Sequence, residues 1–182
     1  MILTLHTTEH LSSRVWLGEL PEVGYEPSHT VERVIEGALH GFAGVRRAAV
    51  ELLKPVGAFS HYGLLGATLK PGTSGIVSVH VMASHTNGEI FSDTIFPYSG
   101  RVRTGLPDEY VNGVLEGVEA ASEQTGGLRS GTLVFNRAAH EAVGSNTATF
   151  KYLSNVVVRI LNLETDAPSE DEITELFKLK FF

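Results

Sequence analysis

Histidines and carboxylates carry whatever chemistry this sequence can do. The chain has 8 histidines and 21 acidic residues but no cysteine. Disulfides, thiolate zinc sites and cysteine nucleophiles are therefore excluded. His140-Glu141 offers an acid/base pair, because an imidazole titrates near neutrality. No nucleophile with an oriented base accompanies it. His80 and His85, with His61, Glu89 and Asp93 around the same predicted strands, are residue types that hold divalent ions; the plainer reading is a solvated strand face. His6-Thr7-Thr8-Glu9-His10 has the His-x-x-Glu-His spelling of a zinc helix, which needs both imidazoles on one helical face. The segment follows a β-like stretch and contains two β-branched threonines, so that helix is not expected. No Gly-x-x-x-x-Gly-Lys-Ser/Thr phosphate loop occurs anywhere. The expectation is no cofactor, no nucleotide and no metal.

Composition narrows the partners. With 182 residues, 42% hydrophobic and 19% charged, the chain suits one core-forming domain with an extension. A formal charge of −7 argues against a general nucleic-acid binder, which needs cations to displace counterions. No run approaches the roughly 20 apolar residues of a membrane span, and the N-terminus lacks a basic stretch followed by an apolar one. A cytoplasmic, membrane-free protein is expected.

The elements that must position these side chains come from periodicity. Residues 2–7 and 13–20 read as short strands. From Thr30 to Leu53 apolar residues recur at three- and four-residue steps, predicting a helix of about six turns that ends before Pro55, with Gly37, Gly41 and Gly44 inside it. Strands follow at 62–69, 75–83 and 89–96, the last two joined through Asn87-Gly88, a strong hairpin signal. In 76–82 alternation places Val77, Val79 and Val81 on the core face. Pro107 opens a helix with Asp108 and Glu109 in its first turn, and Gly126-Gly127 closes it. A strand at 131–135 leads to a polar loop holding His140, then to a helix at 146–162 with Ser145 as N-cap. Ser169-Glu170-Asp171-Glu172 has capping-box spacing for a short final helix presenting Ile173, Leu176 and Phe177.

The second half resembles domain IV of elongation factor G, the ribosomal translocase, over roughly residues 71–162. The words that carry the resemblance are Pro107-Asp108-Glu109-Tyr110 opening a helix with Gly113 and Gly117, then His140-Glu141-Ala142-Val143-Gly144-Ser145-Asn146, then Thr149-Phe150-Lys151. The sequence departs from the family by one inserted residue between His140 and Phe150, by Gly144 where the family loop has Asp, and by Pro71-Gly72-Thr73-Ser74-Gly75 where a basic Gly-rich hairpin loop is expected.

The resemblance implies an α+β fold: a mixed sheet with helices mainly on one face, a βββαβα block over 71–165 preceded by a ββα extension over 1–70, and an acidic, apolar tail helix over 166–182. It also implies a stand-alone, non-catalytic domain whose His140 loop reaches the ribosome or another RNA–protein complex. His140, Glu141 and Ser145 would sit at the tip, with Arg137 behind and Arg101 and Arg103 as the nearest cations; His140→Ala would then spare folding and impair binding. Two alternatives stay open. One is a small enzyme using His140 and Glu141 with His80 and His85; the other is a homo-oligomer docking through Leu176, Phe177, Leu179, Phe181 and Phe182.

Overall fold

Strands, not a helix, fill the first half of the chain. In the computed structural model, residues 1–6, 11–38 and 42–178 are described. The strands are β1 (Ile2–His6), β2 (Ser12–Leu17), β3 (His29–Ala38), β4 (Arg46–Val56), β5 (Phe59–Pro71), β6 (Ile76–Ala83), β7 (Val102–Thr104), β8 (Leu128–Arg129) and β9 (Gly131–Glu141). The helices are α1 (Asp108–Thr125), α2 (Thr147–Leu161) and α3 (Glu170–Leu176). The fold is α+β around one mixed sheet of order β1-β2-β4-β5-β9-β6-β3-β8, with β7 added against β9. β6 and β9 run parallel and α1 lies between them in sequence; β4, β5 and β9 are antiparallel neighbours.

The six-turn helix expected over 30–53 is overturned. Its place is taken by β3 and β4, which lie in different parts of the sheet. Two features imitate a helix. β3 is a mostly exposed strand rich in β-branched residues, and β4 is buried on both faces through Ala48, Ala49, Val50, Glu51 and Leu52. A strand covered on both sides shows no alternation, so its apolar run merged with β3 into a false 3.6-residue period. Gly44 has φ 78°, which an uninterrupted right-handed helix excludes.

Both long helices cover one face. Leu65, Val77, Val79, Val81, Leu133 and Phe135 meet Val114, Val118, Phe150, Leu153 and Val157 there. The predicted core face of β6 is borne out: Val77, Val79 and Val81 are buried while Ser78, His80 and Met82 are half-buried. Helix α1 begins after Pro107 and ends at Gly126 in the left-handed conformation, φ 71°. The capping box forms as expected: Glu172 N–H donates to Ser169 Oγ and Ser169 N–H to Glu172 Oε2.

The opposite face is covered by the excursion between β6 and β7, whose Phe91 and Phe96 join Trp16, Val23, Tyr62, Leu64 and Val102 in a second apolar cluster. The hairpin expected at Asn87-Gly88 does not form. Instead, Gly88 N–H donates to Thr104 O and Phe91 N–H to Val102 O, so this stretch lies against β7. The apolar gain from seating two phenylalanines on that face outweighs a two-residue turn.

The final helix docks on its own chain: Tyr152 Oη donates to Phe177 O and Arg159 Nη1 to Leu176 O, with Ile173, Leu176 and Phe177 buried. The apolar stripe expected to meet another subunit is thus used internally as far as Phe177; Leu179, Phe181 and Phe182 lie outside the described residues. Among the described residues no helix is long and apolar enough to cross a membrane.

Candidate functional site

His140 and Glu141 are the last two residues of β9, not members of a projecting loop. Successive strand residues point to opposite faces, so the two side chains diverge and cannot act on one substrate atom. His140 lies on the helix side, 5% exposed, edge-on to Tyr110, which stacks on Phe150 at 4.8 Å. Its Nδ1–H donates to the Gly105 carbonyl at 3.1 Å, and its Nε2 is 3.0 Å from the Asn87 side-chain amide. Burial pushes the imidazole pKa down from 6.5, against the opposing pull of the Gly105 carbonyl, Glu109 and Glu141. The expected tip histidine is therefore corrected to a neutral, interior one. The apolar stack of Tyr110 and Phe150 draws the ring inward, and two acceptor or donor groups satisfy it there.

A stability effect with a definite sign follows. Above pH 6.5 the imidazole is neutral in both folded and unfolded chains, and its contribution is complete. Below 6.5 the unfolded chain takes up a proton that the folded chain resists, so stability falls as the pH drops towards the lower folded value. Urea titrations at about pH 7 and pH 5 should show this loss in the parent protein. His140→Gln should be less stable at neutral pH by about 1–3 kcal/mol and should lose less on acidification. Equal acid losses in both proteins would contradict the assignment.

Glu141 faces the other way and organises a turn. Its Oε2 accepts from Val143 N–H at 3.0 Å and Gly144 N–H at 2.6 Å, while Oε1 is ion-paired to Arg101. Ser145 is not the N-cap of α2; Asn146 is, accepting from Thr149 N–H at 2.8 Å. Ser145 instead donates from Oγ to Tyr62 O at 2.8 Å and accepts from Glu141 N–H at 2.9 Å. Tyr62 N–H donates to Gly144 O, and a Cβ at Gly144 would meet Ser60 O at 2.2 Å. The turn 142–144 is thus fastened against the start of β5.

What the turn displays is apolar. Val143 is 61% exposed, and beside it the β4–β5 turn exposes Val56 (46%) and Phe59 (67%). Tyr98, edge-on to Phe96, is exposed as well, and the Arg101 guanidinium lies over Phe96. Arg103 pairs with His140 across β7 and β9 and is half-buried. Arg137 does not join the group: it sits at the β9 bulge opposite Gly66, half-buried, with Nη1 donating to Asn136 O.

The histidines and carboxylates of the ligating types named above disperse. His80 pairs with Glu32 at 3.3 Å, Asp93 with Arg14 at 2.8 Å, and His61 Nδ1 accepts from Asn146 Nδ2 at 3.0 Å. His6 ends β1, its Nδ1 3.3 Å from Ser12 Oγ; residues 7–10, the rest of the His-x-x-Glu-His spelling, lie outside the described residues. His85 instead meets His29 and Asp108.

The most polar interior group is Glu51, which the helix expected over 30–53 would place on a solvated face. Glu51, fully buried on β4, takes Arg14 Nε and Nη2 on Oε2 at 3.1 and 2.8 Å. Its Oε1 accepts from Tyr62 Oη at 2.8 Å, from Thr94 Oγ1 at 2.5 Å and from Ile95 N–H at 3.1 Å. Burial, and the Glu51 charge after it, hold the Tyr62 phenol far above its usual range. The signal was a lone carboxylate within Ala48-Ala49-Val50-Glu51-Leu52.

No protein-family model matches the chain, and no curated protein matches it.

Proposed function

We propose that this chain is a non-catalytic binding domain built on the plan of elongation factor G domain IV, and that it engages the ribosome through the end of the sheet carrying the 142–144 turn. The observation that carries the reading is that turn. Buried carboxylate and hydroxyl bonds hold it against β5, yet it presents Val143 to solvent beside Phe59 and Val56. Exposed apolar residues gathered at a rigid rim mark interaction surfaces.

The plan is supported by the order β4-β5-β6-β7-α1-β8-β9-α2, which reads βββαβα with the short β7 and β8 set aside and begins at 46 rather than 71, by the strand arrangement β4-β5-β9-β6, and by two helices sharing a face. In that arrangement the first hairpin loop of the six-element block is at Gly57-Ala58, not at 71–75. It neighbours the 142–144 turn, as paired tip loops require. Glu141 and Ser145 position the turn, while His140 anchors the end of β9 to Gly105 and Asn87; contact falls to Val143, Phe59, Arg101 and Tyr98. The enzyme alternative is disfavoured because His140 and Glu141 point apart and both are fully engaged.

Co-sedimentation with ribosomes at low salt tests this reading. The parent protein should pellet with ribosomes, and Val143→Asp combined with Phe59→Asp should weaken that at least tenfold while leaving circular dichroism unchanged. Ile76→Asp, at the other end of the sheet, should bind as the parent does. Absence of binding, or binding indifferent to the first pair, would overturn the proposal.

A further inference from the structure

Three ligating side chains from three separate elements converge at the start of α1. His29 opens β3, His85 follows the end of β6, and Asp108 is the first residue of α1. Their ligand atoms all lie within 4.8 Å of one another. His29 Nε2 is 3.4 Å from Asp108 Oδ1, and His85 Nδ1 contacts Asp108 Oδ2. The two imidazoles stack at 4.9 Å with 28° between their planes. The backbone beneath them is fixed: His29 pairs with Ala83, Ser28 Oγ accepts from His85 N–H at 3.0 Å, and Ser84 N–H donates to Leu106 O at 2.9 Å.

We infer that His29, His85 and Asp108 bind one divalent transition ion of the zinc class, with water completing its coordination. Two imidazoles and one carboxylate are a donor set that borderline ions such as Zn2+, Co2+ and Ni2+ prefer over the all-oxygen sets of Mg2+ and Ca2+. Ligand bonds of about 2.0–2.2 Å put neighbouring donors roughly 3–3.5 Å apart, so the His29–Asp108 separation already fits. The other two separations need only rotation of half-exposed side chains. All three side chains reach solvent, which leaves room for water ligands. The positive end of α1 opposes a cation only weakly at an exposed first turn, and three protein ligands supply more than that.

Such an ion would crosslink β3, the β6 exit and α1, so occupancy should raise the thermal midpoint. Because protons compete with the ion for the same nitrogen lone pairs, affinity should fall on acidification.

The test is calorimetric titration of chelator-washed protein with Zn2+. One ion per chain is expected, weakened at least tenfold by Asp108→Asn and by His29→Ala with His85→Ala, and unchanged by His80→Ala. A second readout uses the unsubstituted protein: Zn2+ should protect His29 and His85, but not His80, from carbethoxylation followed by mass spectrometry. No binding, binding that survives loss of both histidines, or no selective protection would overturn the inference.

Discussion

Glu51→Ala should be the most damaging single substitution in this protein, lowering unfolding free energy by about 3–5 kcal/mol in urea titration. The carboxylate is fully buried and holds Arg14, Tyr62, Thr94 and the Ile95 N–H together. Removing it takes from the Arg14 guanidinium its buried partner, leaving only Asp93 at the surface, and leaves the Tyr62 phenol with Thr94 alone; breaking one side of a buried ion pair costs about that much. The loss should be cooperative with the excursion over the second face. Thr94 and Ile95 belong to it, and Arg14 also binds Asp93 there. Phe91 and Phe96 should therefore become accessible, visible as a changed near-ultraviolet spectrum. The paired change Arg14→Met with Glu51→Met should cost less than Glu51→Ala alone, because it leaves no unpaired charge. A Glu51→Ala loss below about 1 kcal/mol would show that the cluster is solvated.

Gly117→Ala should destabilise the protein although alanine is the better helix former by about 1 kcal/mol. A Cβ at Gly117 would lie 2.3 Å from the Lys151 carbonyl oxygen and 2.7 Å from Ser154 Cβ; one at Gly113 would lie 2.4 Å from the Thr147 carbonyl oxygen. The two carbonyl contacts are with the α2 backbone, so the helices must separate to admit a methyl. Separation would also stretch the bond from Ser154 Oγ to Val114 O, now 2.7 Å. Overpacking of this kind costs about 1–3 kcal/mol, enough to exceed the propensity gain. Asn112→Ala, exposed on the same helix, should instead be neutral or mildly stabilising. Opposite signs for the two alanines identify close helix packing; a stabilising Gly117→Ala would refute it.

The second half of the chain was legible because each of its signals acts within a few residues. Pro107, the Gly126-Gly127 stop, the alternation of β6 and the Ser169–Glu172 box all appear where local rules place them. In the first half the strands at 2–7, 13–20 and 62–69 appear as β1, β2 and part of β5, but the helix expected over 30–53 does not form. β4 is sandwiched between the helices and the excursion, so its pattern reflects burial from two sides, which only tertiary contacts define. His29 went unseen as a ligand because 30–53 read as helix. The histidine word was misread in space. Its strand runs on past 135 to Glu141, carrying His140 under Tyr110 and leaving only Ala142 and Val143 outside. The turn-forming role of Glu141 depends on backbone N–H groups whose directions no residue pattern reveals.

Photo-cross-linking tests the central claim most directly, with a benzophenone amino acid placed in turn at Val143, Phe59 and Ile76. The first two sites should give discrete adducts with ribosomal components, and Ile76, at the opposite end of the sheet, should give none. Adducts from Ile76 alone, or none from Val143 and Phe59 at saturating ribosome, would contradict a binding surface at the 142–144 turn.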